Sequence, residues 1–357
     1  MELSSSRVSF RSVRFAVLGC VAVVSFFLAI QLLSASLQTL SSVVRPVLTR
    51  QMDPLSYVGM SWLSAYVLLN GSIVAAIALS LFSADLITVL ELFLLVSGSR
   101  LGAPGIILLI GALEFLRAPS YSLPEAMRLG TLTFLVNVTI YAPATVIGTA
   151  VIRVTERSAW ARDVPIDGRA GGVGLFEPLT TAMIDQLGAA PSALVAMLVL
   201  VGSFHLLDTL LNRVSVDWLR EQVFVFLQHR WLSLGLGFAV TAVTTSVAFS
   251  MGVIVPIYNR GYIRRDEIVP YVMGASLGTL TDTLLVALIL ESGAGIAIVL
   301  LLFGAAAVST IAALSVYDAY YAFLEEVQNA LLENNRTFAV FVAMLVAVPF
   351  ALVVVPG

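Results

Sequence analysis

The chain has 357 residues, a formal net charge of −3, 59% hydrophobic residues and only 11% charged residues. An average soluble domain carries about 25% charged residues, whereas apolar runs of the roughly 20 residues needed to cross a bilayer recur along this chain. The composition therefore excludes an ordinary soluble domain. It predicts an all-α polytopic membrane protein surrounded by lipid, with no nucleic-acid partner.

Residue types that are typical of catalytic and metal sites are scarce. Cys20 is the single cysteine and lies in an apolar run, so neither a disulfide framework nor a cysteine-based metal site is expected. The two histidines, His205 and His229, lie in unrelated contexts. Because the sequence shows no nucleophile–base pair and no phosphate-binding loop, we expect no catalytic residues, no metal site and no enzyme activity.

The N-terminal region carries Arg7, Arg11 and Arg14, followed by the apolar run Phe15–Leu40. A cleaved signal peptide has an apolar core of about 7–15 residues, so this longer run predicts the first membrane span. Arginines beside a span favour the cytoplasmic side of the membrane. We therefore expect a multi-pass protein of the cell membrane with a cytoplasmic N-terminus.

Two blocks of similar order follow along the chain. In each block a span and an amphipathic segment precede an apolar segment with a polar interruption, and then a glycine-rich break. The predicted parts are a first membrane repeat (residues 1–152), a solvated linker (153–178) and a second membrane repeat with a C-terminal span (179–357). The interruptions are Asn70-Gly71-Ser72 and Thr244-Thr245-Ser246, and the breaks are Gly98–Gly102 and Gly274–Gly278.

The two blocks align without a gap at a separation of 176 positions, which pairs Gly98 with Gly274 and Glu91 with Glu267. In a chain this apolar, matched breaks in two repeats are the best sequence indicator of a transporter binding site. We expect inverted repeats, each with a re-entrant or broken helical hairpin. The number of membrane crossings between the two repeats decides whether they are inverted or parallel. Hydropathy alone does not give that number where a segment is re-entrant.

Interrupted helices expose backbone groups that can bind ions. Such backbone is tolerated at membrane depth only inside protein or beside a wet cavity. Half-helix N-termini attract anions, while carbonyl oxygens at the opposite ends suit Na⁺. Hydroxyls at the breaks, including Thr283, could bind either ion. Each one taken alone fits helix packing better, whereas their placement at matched breaks in two repeats favours a binding role for the group. The predicted anion ligands are Asn70, Gly71, Ser72, Arg100, Thr244, Thr245, Ser246 and Ser276, and the predicted cation ligands are Ser99, Thr279, Thr281 and Asp282.

Two ionisable residues lie in these apolar segments, and each has two interpretations. A charged group at the centre of a span costs about 2.5–3.5 kcal/mol on insertion scales, so it needs a partner or a cavity. Asp282 could hold Na⁺ or a proton, or it could form a salt bridge with an arginine or reach the interface. Arg100 could face an anion or lie in the headgroup layer. Glu267 follows three charged residues and is expected to mark a helix start, and Asp208 is expected to flank a span at the interface.

The segment Thr241–Leu290 of the second block contains Pro270-Tyr271-Val272-Met273-Gly274-Ala275-Ser276-Leu277-Gly278-Thr279, and Gly98–Gly102 of the first block follows the same pattern more loosely. In this order and spacing both blocks resemble the type II sodium–phosphate cotransporters, and the second block is the better match. The family's Gln-Ser-Ser-Ser signature falls on Leu69–Ser72 and Thr245–Ala248, and each copy keeps one serine. The resemblance implies two membrane repeats, Na⁺ as coupling ion and phosphate as substrate.

Two functional hypotheses follow. The first is a Na⁺-coupled symporter of inorganic phosphate or a related small anion that works by alternating access, with a homodimer as one option. The second is a non-transporting membrane binding or regulatory protein of the same fold, which the altered signatures suggest. A further alternative is a transporter of an unrelated solute.

Overall fold

A computed structural model of the chain describes residues 3–48, 53–117, 122–157, 176–211, 227, 229–247, 249–251, 254 and 264–354. These residues form sixteen helices and no strand. The helices are α1 (Leu3–Thr39), α2 (Ser41–Leu48), α3 (Pro54–Leu68), α4 (Gly71–Ser83), α5 (Val89–Gly102), α6 (Gly105–Arg117), α7 (Leu123–Ala126), α8 (Arg128–Arg157), α9 (Glu177–Leu187), α10 (Ala189–Leu211), α11 (Arg230–Thr244), α12 (Arg265–Gly278), α13 (Leu280–Ile289), α14 (Gly293–Ser315), α15 (Tyr317–Leu332) and α16 (Asn335–Val354).

Seven helical stretches within the described residues are long and apolar enough to cross a membrane. Five are continuous and lie in α1, α8, α10, α14 and α16; the other two combine α5 with α6 and α12 with α13. Large apolar side chains such as Val346 and Phe350 of α16 point outward, as expected for a surface that faces lipid. The predicted class, an all-α polytopic membrane protein, is confirmed.

Both predicted polar interruptions break a helix. Leu69 ends α3 and Thr245 ends α11, each with a left-handed backbone (φ 50° and 53°). Asn70 then caps α4, because its Oδ1 accepts hydrogen bonds from the backbone N–H groups of Ser72 (2.8 Å) and Ile73 (3.3 Å). The first apolar segment is thereby divided into α3 and α4, and in the second α11 ends at Thr244.

The predicted glycine-rich breaks are wrong, because Gly98–Gly102 lies within α5 and Gly274–Gly278 lies within α12. The interruptions follow them, at Ala103-Pro104 and at Thr279. The glycines instead allow close helix packing: a Cβ on Gly278 would lie 2.8 Å from the carbonyl oxygen of Phe238. Small residues that let two backbones approach are typical of membrane helix pairs.

Residues 176 positions apart have the same local structure. Helices α3 and α11 have equivalent bounds at this separation, as do α5 and α12. At the start of α5, Glu91 accepts a hydrogen bond from the N–H of Thr88 (2.7 Å); at the start of α12, Glu267 accepts one from the N–H of Arg264 (2.9 Å). Glu267 therefore marks a helix start, as predicted. In each block the helix before the polar interruption packs on the helix that begins with the glutamate cap, α3 on α5 and α11 on α12.

The predicted linker is only partly described. Helix α8 extends to Arg157 and α9 begins at Glu177, so both ends of the range 153–178 are helical. Residues 158–175 of the linker, which include Gly171, Gly172 and Gly174, and most of the segment 214–230 between α10 and α11 lie outside the described residues. The packing that matters for the site involves α4, which contacts both α5 and α13.

The Asn70 cap leads to a prediction about stability. Replacing Asn70 by alanine leaves the N–H groups of Ser72 and Ile73 without their cap, so the free energy of unfolding should fall by about 1 kcal/mol. Unfolding in mixed micelles, followed by tryptophan fluorescence, measures the change. Asn70→Ser keeps a capping oxygen and should lose only part of that stability; an equal loss for both variants would contradict this assignment.

Candidate functional site

The N-termini of two half-helices meet inside the protein. Ser72 is the second residue of α4, and Asp282 is the third residue of α13. The hydroxyl of Ser72 donates a hydrogen bond to Oδ2 of Asp282. A carboxylate in the first turn of a helix is stabilised by the helix dipole, which explains why an acidic residue is tolerated here. This contact joins the two blocks of the chain.

Arg100 of α5 reaches the same point and is almost fully buried, with 1% of its surface exposed. Its Nη1 donates to the carbonyl oxygen of Thr279 (3.1 Å), and its Nη2 donates to Thr283 Oγ1 (2.9 Å) and to the carbonyl oxygen of Gly71 (3.4 Å). The same Nη2 lies 3.8 Å from Oδ1 of Asp282. Of the alternatives left open by the sequence, the headgroup position of Arg100 is therefore wrong and the salt bridge of Asp282 is confirmed.

Thr283 lies between the two charges. Its hydroxyl accepts from Arg100 and donates to Oδ1 of Asp282 (2.9 Å). The guanidinium Nε of Arg100 is buried and has no hydrogen-bond partner among the described residues. An arginine can donate five hydrogen bonds in a fixed fork, so this side chain keeps an unused donor at the site.

Gly71 is needed for this geometry. A Cβ on Gly71 would lie 2.6 Å from the carbonyl oxygen of Ser99, so a side chain there would push α4 away from α5. The hydroxyl of Ser99 itself donates to Val96 within its own helix (2.7 Å). Among the described contacts, none joins the side chain of Ser99 or Thr281 to the ion pair.

Ser276 takes a different role from Arg100, its partner at the 176-residue separation. Its hydroxyl donates to the carbonyl oxygen of Val272 (2.8 Å) and accepts from Asn137 (3.1 Å). Its carbonyl oxygen accepts from Tyr141 (2.6 Å) and from the hydroxyl of Thr279 (2.6 Å). Sequence reasoning missed Asn137 and Tyr141, although two polar residues one turn apart on the span α8 are a usable signal.

Thr244, Thr245 and Ser246 form a second polar group. Ser246 donates to Oδ1 of Asp208 in α10 (2.6 Å), and Thr244 donates to the carbonyl oxygen of Val240 (2.6 Å). Thr245 donates to the carbonyl oxygen of Thr244 (2.8 Å). Asp208 was expected only to flank a span, but it is half-buried and bound to this break. No hydrogen bond or ion pair between described residues joins this group to Arg100 or Asp282.

The fold and this site define an all-α polytopic membrane protein whose interrupted helices enclose a buried ion pair. A family model described as Na⁺/Pi-cotransporter matches residues 198–325, from within α10 to within α15. This match confirms the predicted resemblance over residues 198–325. The matched segment includes the break at Thr244–Ser246 and Asp282, whereas Ser72 and Arg100 lie before it. No curated protein and no solved structure matches the chain.

Proposed function

We propose that the protein is a Na⁺-coupled symporter of inorganic phosphate or a related small oxyanion. The observation that carries this proposal is the buried guanidinium of Arg100 beside the N-termini of α4 and α13. Helix N-termini and arginine both favour oxyanions, and arginine can bind them through two parallel hydrogen bonds. The family match supports sodium and phosphate as the transported pair.

The coupling ion would bind near Asp282. Its carboxylate, the hydroxyls of Ser72 and Thr283 and the carbonyl oxygen of Thr279 offer the oxygen ligands that Na⁺ takes in broken-helix transporters. The membrane potential adds to the driving force, since each net charge moved through 100 mV supplies about 2.3 kcal/mol. Both ions would then share one enclosed site.

Alternating access would use two inverted repeats that move against each other. The equivalent local structure at a separation of 176 residues supports the repeats. The ion pair and the Ser72–Asp282 contact both cross from the first block to the second, so a relative movement of the blocks would open this site. We further propose a transporter rather than an enzyme, in the cell membrane, with Arg7, Arg11 and Arg14 on the cytoplasmic side.

Uptake of radiolabelled phosphate into proteoliposomes tests the proposal. An inward Na⁺ gradient should drive accumulation, and a choline gradient of the same size should not. Collapsing the Na⁺ gradient with an ionophore should release the accumulated phosphate. Uptake that is indifferent to Na⁺, or absent while another anion is carried, would contradict phosphate symport.

A further inference from the structure

Arg100 and Asp282 form a buried salt bridge, but no hydrogen bond joins the two charges directly. Both side chains are buried, with 1% and 3% of their surfaces exposed. The shortest separation is 3.8 Å, whereas charge-assisted N–H···O bonds are about 2.7–2.9 Å long. The hydroxyl of Thr283 bridges the gap, because it accepts from Arg100 and donates to Asp282.

Each charge is held by its own neutral partners. Both carboxylate oxygens of Asp282 accept from hydroxyls, one from Ser72 and one from Thr283. The guanidinium of Arg100 donates to two backbone carbonyls and to Thr283, while its Nε stays without a partner in the described part of the chain. Arg100 thus retains a buried donor for an added oxyanion.

Charge balance then restricts what the site can accept. An oxyanion bound to Arg100 takes over the role of Asp282 and leaves the buried carboxylate uncompensated. A cation bound to Asp282 alone leaves Arg100 uncompensated in the same way. An uncompensated buried charge is strongly unfavourable, whereas one singly charged oxyanion and one monovalent cation together restore neutrality.

We propose that the Arg100–Asp282 pair couples the two ions. An oxyanion binds to the guanidinium, a monovalent cation binds to the carboxylate, and each strengthens the binding of the other. This inference rests on the proposed function and deepens it, because it assigns the coupling to two named side chains. Linkage requires the effect to be reciprocal, so Na⁺ must strengthen phosphate binding by the same factor by which phosphate strengthens Na⁺ binding.

Equilibrium binding of inorganic phosphate to the purified full chain tests the coupling. For the wild type, replacing Na⁺ by choline should weaken phosphate binding at least about tenfold, within the usual range of coupling between two sites. Asp282→Asn removes the charge that needs the cation, so its phosphate binding should be the same in both salts. Asp185→Asn, an exposed acidic residue of α9, should keep the wild-type dependence on Na⁺.

A second measurement needs no phosphate. In Arg100→Gln the carboxylate of Asp282 lacks its internal partner, so Na⁺ should raise the unfolding temperature more than it does in the wild type. The double variant Arg100→Gln/Asp282→Asn should lose this extra stabilisation, and Arg336→Gln, at an exposed position of α16, should behave like the wild type.

The two measurements separate the coupling from the proposed substrate. Unchanged Na⁺ dependence in Asp282→Asn, or no extra Na⁺ effect in Arg100→Gln, would overturn the coupling. The wild type could instead bind no phosphate in either salt while Arg100→Gln gains Na⁺ stabilisation through Asp282. That result would contradict phosphate symport and would support the binding of a cation to Asp282.

Discussion

Replacing Arg100 by glutamine should lower the free energy of unfolding by about 3–5 kcal/mol, the usual cost of removing one partner of a buried ion pair. The reason is the position of Asp282, which is 3% exposed and would remain charged or bind a proton without compensation. Unfolding in mixed micelles, followed by the fluorescence of the four tryptophans, measures this loss. Phosphate uptake should also disappear, because the proposed anion ligand is removed.

A double-mutant cycle distinguishes the ion pair from a general packing role of Arg100. Residues in contact show interaction energies of about 0.5–3 kcal/mol, so Arg100→Gln/Asp282→Asn should be more stable than the sum of the single effects predicts. The matched surface change Arg336→Gln should alter stability by less than about 0.5 kcal/mol. Strictly additive effects of the two single changes would show that the charges do not interact.

Replacing Gly274 by alanine should destabilise the protein by about 1–3 kcal/mol, as expected for overpacking a tightly packed contact. A Cβ on Gly274 would overlap the carbonyl oxygen of Leu234, so α11 and α12 could not keep their present separation. Because α12 leads directly into Thr279 and Asp282, the same displacement should weaken phosphate uptake. The thermal unfolding temperature and the rate of uptake measure the two effects.

Gly235 provides the matched control for Gly274. It lies in α11, is exposed, and has no heavy atom within 4 Å of the position that a Cβ would occupy. Gly235→Ala should therefore leave stability unchanged or raise it by up to about 1 kcal/mol through better helix propensity. Equal losses for Gly235→Ala and Gly274→Ala would mean that the close approach of α11 and α12 does not explain the glycine.

Hydropathy and local chemistry sufficed for much of the helical layout. The spans around Phe15–Leu40 and Ala190–Leu211 are visible as apolar runs, and the structure has helices at both. The interruptions at Asn70 and Thr245 were also predictable, because polar residues with capping side chains are uncommon inside an apolar run. These features depend on residues near one another in sequence, so the sequence contains the information directly.

The glycine-rich segments show where local inference fails. A glycine can end a helix or allow a second helix to approach, and both uses look the same in one sequence. Only the packing of α5 on α3, and of α12 on α11, shows that Gly98–Gly102 and Gly274–Gly278 serve close approach. The helices accordingly end at Gly102 and Gly278, the last residues of the predicted breaks rather than the residues before them.

The amino-acid sequence was enough to predict a polytopic helical protein with two interrupted segments. A membrane span must be a long apolar helix, so polar residues within an apolar run indicate where the helix is interrupted. The sequence also predicted that Arg100 and Asp282 need partners, since a lone charge in such a protein is costly. That each is the partner of the other was decided by tertiary structure alone. The two residues lie far apart in the chain, and only the packing of α4 against α5 and α13 brings both charges to one buried point.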